Sequence, residues 1–588
     1  MSYFDWQGLG VYTVSVLAFD RVGMIRVTRE DEQDLSHEVF CHKNGYSLIC
    51  YVGGNRLQKC RLDTCGRDDM ITHISFSNWL RRSGWVILLI ALVQFILHLW
   101  VNSHDNFFRD ELYYMAAAQH LSAGYVEFPP FVALVAAFSR AVLGSSVLTI
   151  RLLPALAGAL MVLLTADMVA ELGGGLLAQV LAAVSIAIGP VFIGSSGLLT
   201  MDTFDQLWWT LAAWVLVRLI KQRQARMWLA FGLVVGLGLL TKLTIAFFVI
   251  ALMLGLLLSE QRSLLFNRWL VIAGLIALAM LSPYLIWQAS HGFPVLEYTK
   301  SYFSGKTYQA TPAEYFVQQV AAMNPLALPL WLGGLYFLFF TAAGRPYRAF
   351  GWAYMFLYVF FMLQKAKFYW LSPAYPMLFA SGSCALELLT TSTRAAGRLR
   401  WMSPAYLLIL ALSGSFLVPF AIPILPPENF IKLNASIGGT SEIKTENLQS
   451  SALPQNFADR YGWREMVTAV KAAYDTLTPQ EQTEACIVAS NYGEAGAIDF
   501  YGPALGLPKA ISGHNSYFIW GPQGCTGKVF ITINIRLQDI AGSFESVEPA
   551  GQTACTYCMP FENNAPIGIA RGIKVPIETA WPGAKTFE

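Results

Sequence analysis

The chain has 588 residues, 55% of them hydrophobic and 13% charged, with a mean hydropathy of +0.46. A soluble chain carries about 25% charge, so this one has too little polar side chain to cover a water-facing surface, and an ordinary cytosolic enzyme is excluded. Lys plus Arg number 40 and Asp plus Glu 38, a net +2, so no basic field points to nucleic acid and the informative charges are individual ones.

Residues 1–69 are mixed and polar. They hold Cys41, Cys50, Cys60 and Cys65 at spacings that fit no standard zinc pattern, and they lack the apolar region of a signal peptide. Met70, followed by a polar stretch and Arg81-Arg82, is a natural start for a membrane protein, so 1–69 is expected to be an upstream extension. Residues 70–422 form the membrane body. Apolar runs suited to crossing a bilayer fall at 84–101, 148–171, 175–196, 204–219, 228–241, 243–259, 269–288, 325–341, 349–364, 368–389 and 404–422, so the expectation is about eleven spans. Arg81-Arg82 place the amino-terminal side inside, and basic clusters at 218–226, 262–268, 345–348 and 394–400 mark further cytoplasmic turns. Loop 102–146 and the tail are then external. Prolines 129, 130, 154, 190, 283, 373 and 376 are expected at span ends or kinks.

The tail, 423–588, has ordinary composition. CIVAS (486–490) and KVFITINI (528–535) read as strands and 461–477 as a helix, so a small external α/β domain is expected. Cys486, Cys525, Cys555 and Cys558 all fall in it and can form disulfides outside the cytosol, although their connectivity does not follow from sequence.

In a chain so poor in charge, external ionisable residues at membrane depth point to function. The first loop holds Asp105, Arg109, Asp110, Glu111 and Glu127. RDELYYMAAAQHL is predicted helical, so Asp110 and Glu111 open its first turn about 100° apart and only one can face a given site squarely. Helix capping is the competing reading. Asp202 precedes another span, and Lys242, Lys300, Lys306, Lys365 and Lys367 are external cations that oppose the topology rule. Carboxylates facing cations across an external cleft suit group transfer from a lipid phosphate: the carboxylate takes a proton from an attacking hydroxyl and the cations stabilise the departing phosphate.

The order FFRDELYYMAAAQHLSAGYVEFPPFVAL, RLLPALAGAL, LLTMDTFDQLWW, GLGLLTKLTIAFF and KAKFYWLSPAYP resembles the bacterial branch of the dolichyl-phosphate-mannose-protein mannosyltransferase family, which includes the aminoarabinose transferases of lipid A. YGEAGAIDFYGP and ISGHNSYFIWGP in the tail resemble bacterial family 39 glycosyltransferases. The resemblance implies a GT-C fold in a bacterial inner membrane, an external carboxy-terminal domain, and inverting transfer of a sugar from a polyprenyl phosphate to an extracytoplasmic acceptor: lipid A, an envelope glycan or a protein. It implies Asp110 as general base with Glu111 in support, Asp202 as a further catalytic acid, and Lys242, Lys306, Lys365, Lys367 and Arg109 as contacts for the donor phosphate. Aminoarabinose transferases carry Glu-Lys-Pro at the end of the first loop, where this chain reads Glu127-Phe128-Pro129. The acid is kept and the lysine is lost. Glu127, with external His291, is the candidate pair for a divalent metal. The rival class is a transporter or flippase of a lipid-linked or anionic substrate, which would carry its charges near the bilayer midplane on broken helices.

Overall fold

A computed structural model describes residues 84–306, 308–391, 401–439 and 451–588, with 446, 447 and 449, and six short strands within the first 61 residues. The chain forms two compact units, Met1–Arg82 and Ser83–Glu588. In the first, strands Tyr3–Asp5, Val11–Ser15 and Arg26–Arg29 pair antiparallel in sequence order, as do Val39–Asn44, Ser47–Val52 and Asn55–Arg61. The expectation that 1–69 is an extension falls mostly on residues outside this description.

In the second unit each of the eleven expected apolar runs falls on a helix or a bent helix pair. Trp85–Asn102, Leu152–Glu171, Arg268–Ser290 and Met402–Ala421 are individually long and apolar enough to span a membrane. Two bent pairs raise that number to six, and Met227–Thr241 and Thr244–Leu257 are shorter apolar helices. The bends have local causes. Leu176–Ala187 turns by 60° into Pro190–Ser196, where Pro190 restarts the helix, and Pro312–Ala322 turns by 95° into 325–340 at Asn324-Pro325. Proline lacks the N–H that would continue the preceding helix yet fits a new first turn.

Helices approach closely where side chains vanish. A methyl group on Gly334 would lie 2.3 Å from the Leu378 carbonyl, and one on Gly382 2.0 Å from that of Leu330. Helices Leu328–Phe340 and Tyr375–Thr391 therefore meet backbone to backbone, the contact that small residues permit in lipid. Leu88, Leu92, Ile96, Ile286, Leu408 and Leu412 are exposed on the outside of the bundle, the face a bilayer would cover. Arg218 and Lys221 pair with Glu171, and Arg345 with Glu260, in the basic turns that the topology rule assigns to the cytoplasm.

The tail contains a five-stranded mixed sheet, ordered Phe544–Gln552, Pro566–Ile573, Val529–Ile533, Ala485–Ala489 and Ala510–Ile511. The first three strands run antiparallel and the last two are parallel additions. Both strands read from the sequence are present, and the expected helix is Trp463–Asp475. Cys486 and Cys525 form a disulfide that ties the sheet to the loop after Trp520, whereas Cys555 and Cys558 are thiols. The tail shares one compact unit with the helices, and Gly496 on helix Tyr492–Tyr501 lets it lie against the Leu112 carbonyl of the first loop.

Candidate active site

The first loop enters a short helix, Arg109–Ala117, through Phe108 in extended conformation. Its first turn splits the two acids, as the 100° spacing requires. Glu111 points inward and is fully buried. It accepts hydrogen bonds from Arg151 Nε and Nη2, both at 2.7 Å, from the Leu199 N–H at 2.8 Å and from the Phe108 N–H at 2.9 Å. Arg151 also bonds Asp105 at 2.5 Å, and Arg460 of the tail pairs with the same Asp105. This closed cluster of buried charges locks the loop helix to helix Leu152–Glu171 and to the tail. Glu111 is thus a positioning residue for its neighbour.

Asp110 points the other way, into a cavity of about 470 Å³. Its Oδ1 accepts from the Tyr492 hydroxyl at 2.9 Å and lies 3.5 Å from Arg109 Nε, while Oδ2 has no partner among the described residues. Tyr492 comes from the tail, and its ring stacks on Tyr113 at 4.6 Å. Around the same cavity stand Glu127, Asp202, Lys242 and Lys367. Residues more than 250 positions apart in sequence therefore converge on one space.

The cations are held and partly paired. Lys242 ends helix Met227–Thr241 in extended conformation, which turns its ammonium toward Asp202 Oδ1 at 2.5 Å and over the rings of Trp370 and Tyr369, 5.2 and 5.4 Å away. Lys367 pairs with Glu446 at 2.7 Å and lies 4.9 Å from the Tyr302 ring. Burial opposes its charge, but Tyr302 and Glu446 outweigh that and hold its pKa above the ordinary lysine range. Arg109 is buried too and remains a cation because Asp459, Tyr492 and Asp110 surround it. One flank of the cavity is apolar: Leu243, Phe247, Phe360, Phe361 and Trp370 lead from the lysines to the faces of helices Thr244–Leu257 and Arg348–Leu363.

Lys365 and His291 fall elsewhere, and the Lys306 side chain is not described. Lys365 has a left-handed backbone that turns it outward, where its ammonium bonds Gln309 at 2.7 Å, and it does not line the cavity. Lys306 closes the π-turn Tyr302–Lys306, and its side chain lies outside the described residues. His291 is exposed, stacked on Trp287 at 4.3 Å and bonded to that residue's carbonyl at 2.8 Å, so it does not join Glu127. Glu127 is engaged otherwise, its carboxylate accepting from Asn515 at 3.0 Å and Tyr113 at 3.2 Å. Burial pushes its pKa up to about 7 against those two bonds. Among the described residues no three His, Cys, Asp or Glu side chains are grouped as metal ligands. The Glu127–His291 pair is therefore not assembled as a metal site, because a carboxylate facing an amide and a hydroxyl donor presents no free ligand set.

The sequence reading missed Tyr492, Asn515, Glu446 and Arg151. Tyr492 and Asn515 lie inside the two tail phrases that resemble family 39 members, so a signal was present without a role. Arg151 opens RLLPALAGAL, a motif of the resemblance in which no role was assigned to it.

Comparison with known proteins bears on the fold and on one segment of the chain. Residues 127–287 match the family model described as dolichyl-phosphate-mannose-protein mannosyltransferase. Among solved structures, ArnT from Cupriavidus metallidurans bound to undecaprenyl phosphate is similar over 84% of this chain and 98% of its own, at 13% identity and a TM-score of 0.55. The apo form of the same protein matches over 83% and 98%, at 15% identity and a TM-score of 0.53. These similarities are of fold. No curated protein matches the sequence. What these matches establish is a fold shared with ArnT and a segment similar to the dolichyl-phosphate-mannose-protein mannosyltransferase family. The matched segment, 127–287, is mannosyltransferase-like.

Proposed function

We propose that the chain transfers a sugar from a polyprenyl-phosphate donor to a hydroxyl outside the cytoplasm, with inversion, in a bacterial inner membrane that it crosses about eleven times, its tail on the external side. The observation that carries this reading is one cavity in which Asp110, with an open carboxylate oxygen, faces Lys242 and Lys367 beside an apolar flank. The solved relative with undecaprenyl phosphate bound shares the fold and supports a donor of that kind.

In this reading Asp110 is the general base. The acceptor oxygen bonds to the anomeric carbon, its proton passes to Asp110 Oδ2, and the bond from that carbon to the phosphate oxygen breaks, its electron pair leaving with the polyprenyl phosphate. Lys242 and Lys367 meet the phosphate charge, exchanging part of their pairing with Asp202 and Glu446 for it. Asp202 then positions Lys242 in place of a second base. Leu243, Phe247 and Phe361 offer the polyprenyl chain an apolar path to the lipid. A protein that only moves the donor across the membrane would leave the sugar–phosphate bond intact. Purified protein in vesicles given undecaprenyl-phosphate-linked sugar together with an envelope extract that supplies acceptor hydroxyls is expected to release undecaprenyl phosphate. Recovery of intact donor on the opposite leaflet, with none cleaved, would instead establish the transporter class.

A further inference from the structure

A second cavity, about 620 Å³, lies on the tail side of Tyr492. It differs in character from the donor cavity. Its lining includes the hydroxyls of Ser301, Ser304 and Ser490, the amides of Asn491 and Asn534 and the imidazole of His514, together with Phe561 and the terminal Glu588. It shares Arg109, Glu446 and Tyr492 with the donor cavity, so the phenol that bonds Asp110 is the partition between them.

The two amides are fixed from behind. Asn534 Nδ2 donates to Glu494 at 2.8 Å and to the Phe561 carbonyl at 3.2 Å. Asn491 Nδ2 donates to Glu562 at 3.3 Å, and its Oδ1 accepts from the N–H groups of Gly493 and Glu494. Glu494 and Glu562 are buried, and nothing in the transfer chemistry uses them. Glu494 closes the capping box of helix Tyr492–Tyr501, accepting from the Ser490 and Asn491 N–H groups at 2.8 and 3.3 Å, and with Glu562 it also sets the orientation of these amides; a site preorganised by buried partners recognises hydroxyls without reordering its own side chains. Volume, polarity and fixed donors and acceptors match a small carbohydrate better than a lipid tail, which needs apolar walls.

We infer that this cavity is the acceptor subsite and that the acceptor is a polyhydroxylated carbohydrate. The inference rests on the proposed transferase reading and names its acceptor class. Bound there, a sugar presents one hydroxyl past Tyr492 to Asp110. Its oxygen then bonds to the donor's anomeric carbon, its proton goes to Asp110, and polyprenyl phosphate departs with the electron pair of the broken carbon–oxygen bond.

The test is saturation-transfer NMR of the full-length protein in nanodiscs with a panel of methyl hexosides and their disaccharides, alongside a Ser/Thr peptide and a short-chain phospholipid. At least one glycoside is expected to give signal. Ser490→Trp, which fills the cavity, is expected to weaken that binding at least about tenfold, and Ser304→Trp, elsewhere in the lining, does the same should the first variant fail to fold. Asp110→Asn is expected to keep the glycoside signal while losing turnover, which separates this inference from the assignment of the base. No signal from any glycoside, signal from the peptide or phospholipid alone, or glycoside binding unchanged in a folded tryptophan variant would overturn it.

Discussion

Asp110 and Glu111 are neighbours on one helical turn, yet they end in opposite surroundings. Glu111 meets four donors and shares Arg151 with Asp105 in a dry cluster. Asp110 opens onto the cavity with one oxygen bonded by Tyr492. The charges on the two faces are of the same kind. The difference is saturation: a carboxylate whose acceptor positions are filled by buried partners holds structure, and one left partly open beside cations is available to a substrate.

The largest effect expected from breaking this contrast is at the open acid. Asp110→Asn should reduce transfer by about 10²–10⁴-fold, the range for losing a general base, with the purified variant eluting as the wild type does. On the closed face Arg151→Met should act on folding, since it strands Glu111 as a buried unpaired charge at about 3–5 kcal/mol, while Asp105 keeps Arg460. Fluorescence-detected size exclusion should show loss of folded protein. A folded Arg151→Met that merely turns over slowly would show that the cluster is not what holds the loop.

Smaller effects follow at the cavity wall. Lys242→Ala should raise the donor KM about ten- to a hundredfold, as for a lost charge-assisted contact of about 1.5–3 kcal/mol, and Asp202→Asn should raise it less, because it only frees the lysine. Initial rates at varied donor concentration separate the two. The smallest change concerns pH. Burial lifts Glu127 from 4.5 to about 7, so it is mainly protonated below that value and charged above it. The native state therefore holds this proton over a range in which the unfolded chain has released it, and the stabilisation is lost as pH rises through about 7. A charged Glu127 also repels a phosphate in the same cavity, so donor affinity should fall over that interval. Glu127→Gln should flatten the dependence of donor KM on pH from 6 to 8 relative to wild type; an unchanged profile would remove Glu127 from the effect.

Much of the helical body was legible because lipid imposes a simple rule: long apolar runs interrupted by basic turns. Each expected run has its helix. The bend at Gly189-Pro190 was signalled by its proline, but the sharper turn at Asn324 was not, because a run of apolar residues does not say where two helices meet. At the site, Asp110, Asp202, Lys242 and Lys367 were visible as charges out of place. Lys365 was equally out of place and turns away, since its own left-handed backbone cannot be read from the spacing of the lysines. Tyr492 and Asn515 were hidden for a different reason. They act across 382 and 388 positions from their partners Asp110 and Glu127, and a tyrosine or asparagine in a tail of ordinary composition carries no excess signal.

The central claim is that Asp110 transfers a sugar out of a polyprenyl-phosphate donor, and it is tested most directly in cells. Deletion cells carrying wild-type or Asp110→Asn protein at equal abundance can be compared by mass spectrometry of their envelope lipids and glycans. The account predicts that the Asp110→Asn cells lose one sugar increment from an envelope product and accumulate the loaded polyprenyl phosphate. Identical spectra from the two strains would contradict it.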